Sequence, residues 1–112
     1  MAVYVSNITI PVGEDFEQTF ILENVIDNSI LNLNNYTAKS HLKKHPASLN
    51  TTAIFEISFP NRQNGEILLS LGSTITSTLK PGRYSYDIVI NDGNKNKRVV
   101  EGSALVTAGV TT

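Results

Sequence analysis

The sequence predicts an all-β protein: an antiparallel β-sandwich of about seven strands with one short helical turn. Short runs of alternating apolar and polar residues recur at intervals of about 10 to 14 residues. Each run closes on Gly, Pro or Asn, the residues that tight turns require. The composition agrees, with 12 Asn, 11 Thr and 10 Ser beside 11 Ile and 9 Val in 112 residues. β-Branched side chains suit a pleated surface, and Asn, Ser and Gly suit the turns between strands.

The elements follow in order. Val3, Val5, Ile8 and Ile10 alternate up to Pro11-Val12-Gly13. This first strand, Ala2 to Ile10, is expected at a sheet edge, with its hydrogen-bonding row open to another chain. Phe16, Gln18, Phe20 and Leu22 form the next face, and Gln18 is expected to be a buried, hydrogen-bonded amide on it. Asn24 to Asn35 reads as a loop around Ile30-Leu31. Tyr36, Ala38, Ser40 and Leu42 share a face until Pro46 ends the strand. Phe55, Ile57 and Phe59 alternate up to Pro60, and Asn64-Gly65 turns the chain into Ile67, Leu69 and Leu71. Ser73 is placed to cap a helical turn through Leu79, with Ile75 and Leu79 on one side. Tyr84, Tyr86, Ile88 and Ile90 form a strand face, Asn91-Asp92-Gly93-Asn94 a hairpin loop, and Val99 to Thr107 the last strand. Wet and dry faces in alternation are the mark of antiparallel sheets. Residues 1–112 read as a single domain.

Several chemistries are poorly served. The chain has no Cys, which excludes disulfides, thiol catalysis and Cys-based metal sites. No apolar run approaches the ~20 residues that span a bilayer, so no membrane partner is expected. Met1 to Ile10 lack the features of a secretory signal, so the three sequons at Asn7, Asn35 and Asn50 read as incidental. The formal charge of −1 argues against nucleic acid, and Lys39, Lys43 and Lys44 stand without interleaved aromatics. His41 and His45 would lie about 13 Å apart on a strand, too far to share one ion. Glu14, Asp15 and Glu17 lack the spacing of a Ca²⁺ loop. No Gly-x-Ser-x-Gly elbow or phosphate-cradling loop occurs, and no carboxylate pair is placed to share a site. No catalytic residue, cofactor or metal is therefore expected, and the reading is of a protein that is not an enzyme.

The sharpest local pattern is Leu79-Lys80-Pro81-Gly82-Arg83-Tyr84-Ser85-Tyr86-Asp87. A Pro-Gly turn feeding Tyr-x-Tyr is what a tyrosine corner requires, with Pro81, Gly82, Tyr84 and Tyr86 as its residues. The first tyrosine bonds to backbone a few residues upstream. Immunoglobulin domains carry a Cys where Tyr86 stands, so packing must replace the disulfide here. Four segments in this order then resemble a known group. They are Gly13-Glu14-Asp15-Phe16, Leu33-Asn34-Asn35-Tyr36-Thr37-Ala38, the Leu79 to Asp87 segment, and Arg98 to Val106 closing at Val110-Thr111. Together they are similar to the small immunoglobulin-like β-sandwich domains of tailed-bacteriophage structural proteins, such as the N-terminal domain of the baseplate upper protein and related tail-associated sandwiches. Gln18 departs from that pattern, where an apolar residue is usual, and the Asn24–Asn35 loop is longer. The resemblance implies a virion protein of the tail, baseplate, fibre base or capsid decoration, with other virion proteins and copies of itself as partners. A free carbohydrate- or protein-binding module is the alternative.

Charge is unevenly placed along the chain. Residues 1–38 carry five acidic groups and no Lys or Arg, whereas residues 39–44 carry three Lys. Val3, Val5, Glu14, Asp15, Lys39, Lys43 and Lys44 are the candidate interface residues. An acidic end and a basic patch on one chain suit head-to-tail or side-by-side contacts between copies, or, as the alternative, strand pairing that brings these charges together within one molecule.

Overall fold

Period-2 alternation resolves into two sheets packed face to face. The computed structural model describes residues 4–23, 29, 31–45 and 51–108. The elements are β1 (Tyr4–Val5), β2 (Ile8–Pro11), β3 (Phe16–Ile21), β4 (Thr37–Lys43), β5 (Ala53–Ile54), β6 (Glu56–Ser58), β7 (Glu66–Leu71), α1 (Ser73–Thr76), β8 (Gly82–Asn91) and β9 (Asn96–Thr107). The larger sheet runs β1-β9-β8-β4-β5, with β2 also on β9, and the smaller runs β3-β7-β6. This is an immunoglobulin-like sandwich. One expectation is corrected, since the larger sheet is mixed: β1 and β2 run parallel to β9. No hairpin joins the first strand to the last, so nothing local obliges them to be antiparallel. The first strand does lie at the edge of the sheet.

The inward residues of both sheets fill the space between them. Ile10, Leu42, Ile67, Leu69, Ile88 and Val100 are fully buried, each withdrawing a branched side chain from water. Phe16 of the smaller sheet packs on Phe55 at 5.9 Å, and Phe55 meets the Tyr86 ring nearly edge-on at 6.1 Å. This aromatic chain joins the sheets through the middle, as expected of Tyr86 in a domain without cysteine. Phe55 also marks where the chain changes sheet. Its backbone N–H donates to the Ser40 carbonyl of β4, and the residues that follow pair with β7 instead.

Gln18 is corrected as well. It is exposed, and its amide reaches only the neighbouring Thr19 carbonyl at 3.4 Å, although Phe16 and Phe20 on the same face are buried. β3 is an edge strand of the smaller sheet, so a side chain on its inner face can still reach solvent at the margin. The helical turn differs in detail too. Ile75 is 45% exposed while Thr76 and Leu79 are buried, so the inward residue of the turn itself is polar. Ser73 makes no side-chain cap; Asp15 supplies it, its carboxylate accepting the Ser73 backbone N–H at 2.7 Å. The residues expected as a loop at 24–28, and Pro46, lie outside the described residues.

Both tight turns of the last hairpin region are built as the sequence suggests. Tyr84 is buried, and its hydroxyl donates to the Lys80 carbonyl at 2.7 Å across the Pro81-Gly82 turn, with Gly82 at φ 151°. Tyr84→Phe is expected to cost about 1–2 kcal/mol by stranding that carbonyl, read as a lower urea midpoint at unchanged slope. Between β8 and β9, the Asp92 carboxylate accepts the backbone N–H groups of Asn94 and Lys95, each at 2.9 Å. Those bonds, the one from Lys95 foremost, hold its carboxyl below the ordinary range.

Candidate docking face

Because side chains alternate, the buried residues of β4, β8 and β9 leave an opposite set facing out. Cross-strand register aligns these into a row that spans the larger sheet. Val5 stands beside Glu101, Glu101 beside Asp87, Asp87 beside His41, and His41 beside Ile54. The two ends are apolar and open, Val5 at 68% and Ile54 at 63% exposure. The middle is charged. Arg98, Val89 and Lys39 form the neighbouring row on one side, and Ser103, Ser85 and Lys43 the row on the other. These rows, apart from Ser103 and Ile54 at their margins, border an open groove of about 560 Å³ on the outer surface of the sheet. Arg98 Nε donates to Asp87 Oδ2 at 3.1 Å, a surface pair that orients both groups and adds little stability. His41 Nδ1 lies 3.3 Å from Thr51 Oγ1.

The candidate interface residues divide. Val5, Lys39 and Lys43 come together on this groove, and Lys44 is exposed just beyond the end of β4. Val3 lies outside the described residues. Glu14 and Asp15 are elsewhere, exposed at the β2–β3 corner, where the Glu14 backbone and the Asp15 carboxylate contact α1. The Glu14 carbonyl accepts the Thr76 hydroxyl at 2.8 Å, and Asp15 caps the turn. The tertiary contact of this corner with α1 has no signal in local sequence.

Residues not singled out by the sequence carry the junction at the edge of this face. Between β1 and β2 the chain breaks from the ladder at Ser6-Asn7. There Tyr86 on β8 donates its hydroxyl to the Ser6 carbonyl at 2.6 Å, passing Gly102, its register partner on β9. Asn7 Oδ1 accepts both the backbone N–H and the hydroxyl of Ser103 at 3.1 Å, in place of a ladder bond. Only Asn7's sequon was visible in sequence, which says nothing of this role. Burial pushes the Tyr86 phenol above its ordinary value. The folded state therefore holds that proton more tightly than the unfolded chain. Its contribution is complete below about pH 10 and is lost as pH rises beyond, toward the folded value. Urea midpoints between about pH 8 and 11 are expected to fall more steeply for the native chain than for Tyr86→Phe.

Among the described residues, no three His, Asp or Glu side chains gather as a metal site would need. Among the same residues, no helix is long and apolar enough to cross a membrane. The fold and this face define an all-β sandwich that carries a charged groove on the outer surface of its larger sheet. No protein-family model matches the chain, and no curated protein does. Solved structures share its outline. The crystal structure of InlP from Listeria monocytogenes is 16% identical over 93% of this chain and 26% of its own, with a TM-score of 0.48. A family 123 glycoside hydrolase from Clostridium perfringens is 14% identical over 100% of this chain and 24% of its own, with a TM-score of 0.43. The chain thus spans about a quarter of the length of either.

Proposed function

We propose that this chain is a non-enzymatic structural protein that works by docking on other proteins through the outer face of its larger sheet. The row from Val5 to Ile54 carries the reading, because it brings exposed apolar ends and a charged middle together across five strands. Protein interfaces combine such apolar contacts with polar groups that set register. The resemblance read in the sequence supplies the setting: a component of a tailed-bacteriophage particle, in the tail, baseplate, fibre base or capsid decoration. The alternative is a free carbohydrate- or protein-binding module, and its carbohydrate-binding form calls for exposed aromatic rings on which sugar can stack. Here Phe16, Phe20, Phe55, Tyr84 and Tyr86 are buried, and Tyr36 and Phe59 pack against the core.

Mass spectrometry of purified particles from infected cells tests the proposal. Peptides of this chain are expected at a fixed ratio to the major structural proteins. Their absence from particles, with the protein abundant in the lysate, overturns it.

A further inference from the structure

The smaller sheet also has an outer face, and its chemistry is the opposite of the first. Register places Glu17 and Glu56 on either side of Ser70 in one row, and Glu66 beside Ile21 in another. Among the outward residues of β3, β6 and β7 there is no Lys or Arg. The half-buried Leu68 lies in the middle row of this face, between Thr19 and Ser58, and Ile21 at 59% exposure stands at its end. The larger sheet presents Lys39, Lys43, Arg83 and Arg98 against Asp87 and Glu101, a surplus of two positive charges. One broad side of the sandwich is therefore basic and the other acidic, each with apolar residues between its charges.

We infer that the partner of the groove is a second copy of this chain, which seats its acidic three-stranded face on the basic six-stranded one. Basic on basic and acidic on acidic repel, so a two-fold pairing of like faces is disfavoured. Basic on acidic leaves one free face of each kind at the ends of the pair. Such a head-to-tail contact propagates into a ring or a stack. The principal extents of 44 × 28 × 22 Å leave room on a broad side for the roughly 800 Å² per partner of an ordinary interface. The inference deepens the docking reading by naming the partner and the second surface, and it rests on that reading.

Sedimentation velocity of the whole chain tests it without any particle. At low ionic strength the native protein is expected to grow beyond monomer as its concentration rises to about 1 mM. Raising salt from about 0.05 to 0.5 M, which shortens the screening length severalfold, returns it to monomer. The variant Lys39→Glu/Lys43→Glu has two acidic faces, and Glu17→Lys/Glu56→Lys has two basic ones. Each alone is expected to remain monomeric, and an equimolar mixture to associate again. Should either reversal abolish the thermal unfolding transition, Lys39→Gln/Lys43→Gln takes its place, with association weakened by roughly tenfold. A native chain that stays monomeric throughout overturns the inference, and so does a mixture that fails to associate. Association unchanged by salt overturns it as well, in favour of apolar docking. None of these outcomes touches incorporation into particles, so the two readings fail separately.

Discussion

Gly102→Ala is expected to destabilise the fold by about 3 kcal/mol, a large effect for a single added methyl group. A Cβ at Gly102 would overlap the Ser6 carbonyl and crowd Asn7, so backbone rather than a mobile side chain would have to move. Moving it opens the bond from Tyr86 to Ser6 and disturbs the two bonds that Asn7 makes with Ser103. The loss adds a clash to unmade hydrogen bonds, which accounts for a value at the upper end of the usual range. At this size each kcal/mol lowers the thermal midpoint by about 4–8 °C, so the melt of Gly102→Ala is expected well below that of the native chain. Because Tyr86→Phe breaks the same junction, the double variant should lose less than the sum of the two. Strict additivity, or a midpoint unchanged by Gly102→Ala, would sink this account of the edge. It also bears on the first strand, which is fastened into the fold through Ser6 and Asn7. Removing Met1 to Ser6 is therefore expected to weaken folding and not attachment alone.

Thr76→Val is expected to cost about 2–3 kcal/mol although it conserves shape. Thr76 is fully buried, and its hydroxyl donates to the Glu14 carbonyl at 2.8 Å while accepting the Gly13 N–H at 3.2 Å. Valine removes both bonds at once from this part-buried corner, leaving the carbonyl and the N–H without the hydroxyl that joined them. The neighbouring Asp15 cap on Ser73 would then hold the corner alone. Thr76→Ser keeps the hydroxyl and should recover most of the loss; equal losses for serine and valine would show that the methyl packing matters and the hydrogen bonds do not. Equilibrium urea unfolding of the three proteins separates these outcomes.

Sequence alone determined the alternating strands, because a strand with one wet face writes its burial into every second residue. Tyr36 to Leu42, Ile67 to Leu71 and Tyr84 to Ile90 are legible for that reason, as is the tyrosine corner, whose partners lie four residues apart. Sequence also showed that charge is segregated, but along the chain and not in space. Tertiary structure alone decided which strands share a sheet. It turned one apolar run into β5 and β6 on opposite sheets at Phe55, and it set the first strand parallel to the last. It exposed Gln18 at a sheet margin, buried Thr76 in place of Ile75, and assigned Glu14 and Asp15 to a corner of the fold. The cross-strand row was likewise invisible, since Val5, Glu101, Asp87, His41 and Ile54 come from five strands spread over nearly the whole chain. The physical reason is common to all of these. Periodicity reports whether a residue faces inward on its own strand, whereas pairing, sheet edges and cross-strand rows depend on contacts between residues far apart in sequence, which local pattern does not encode.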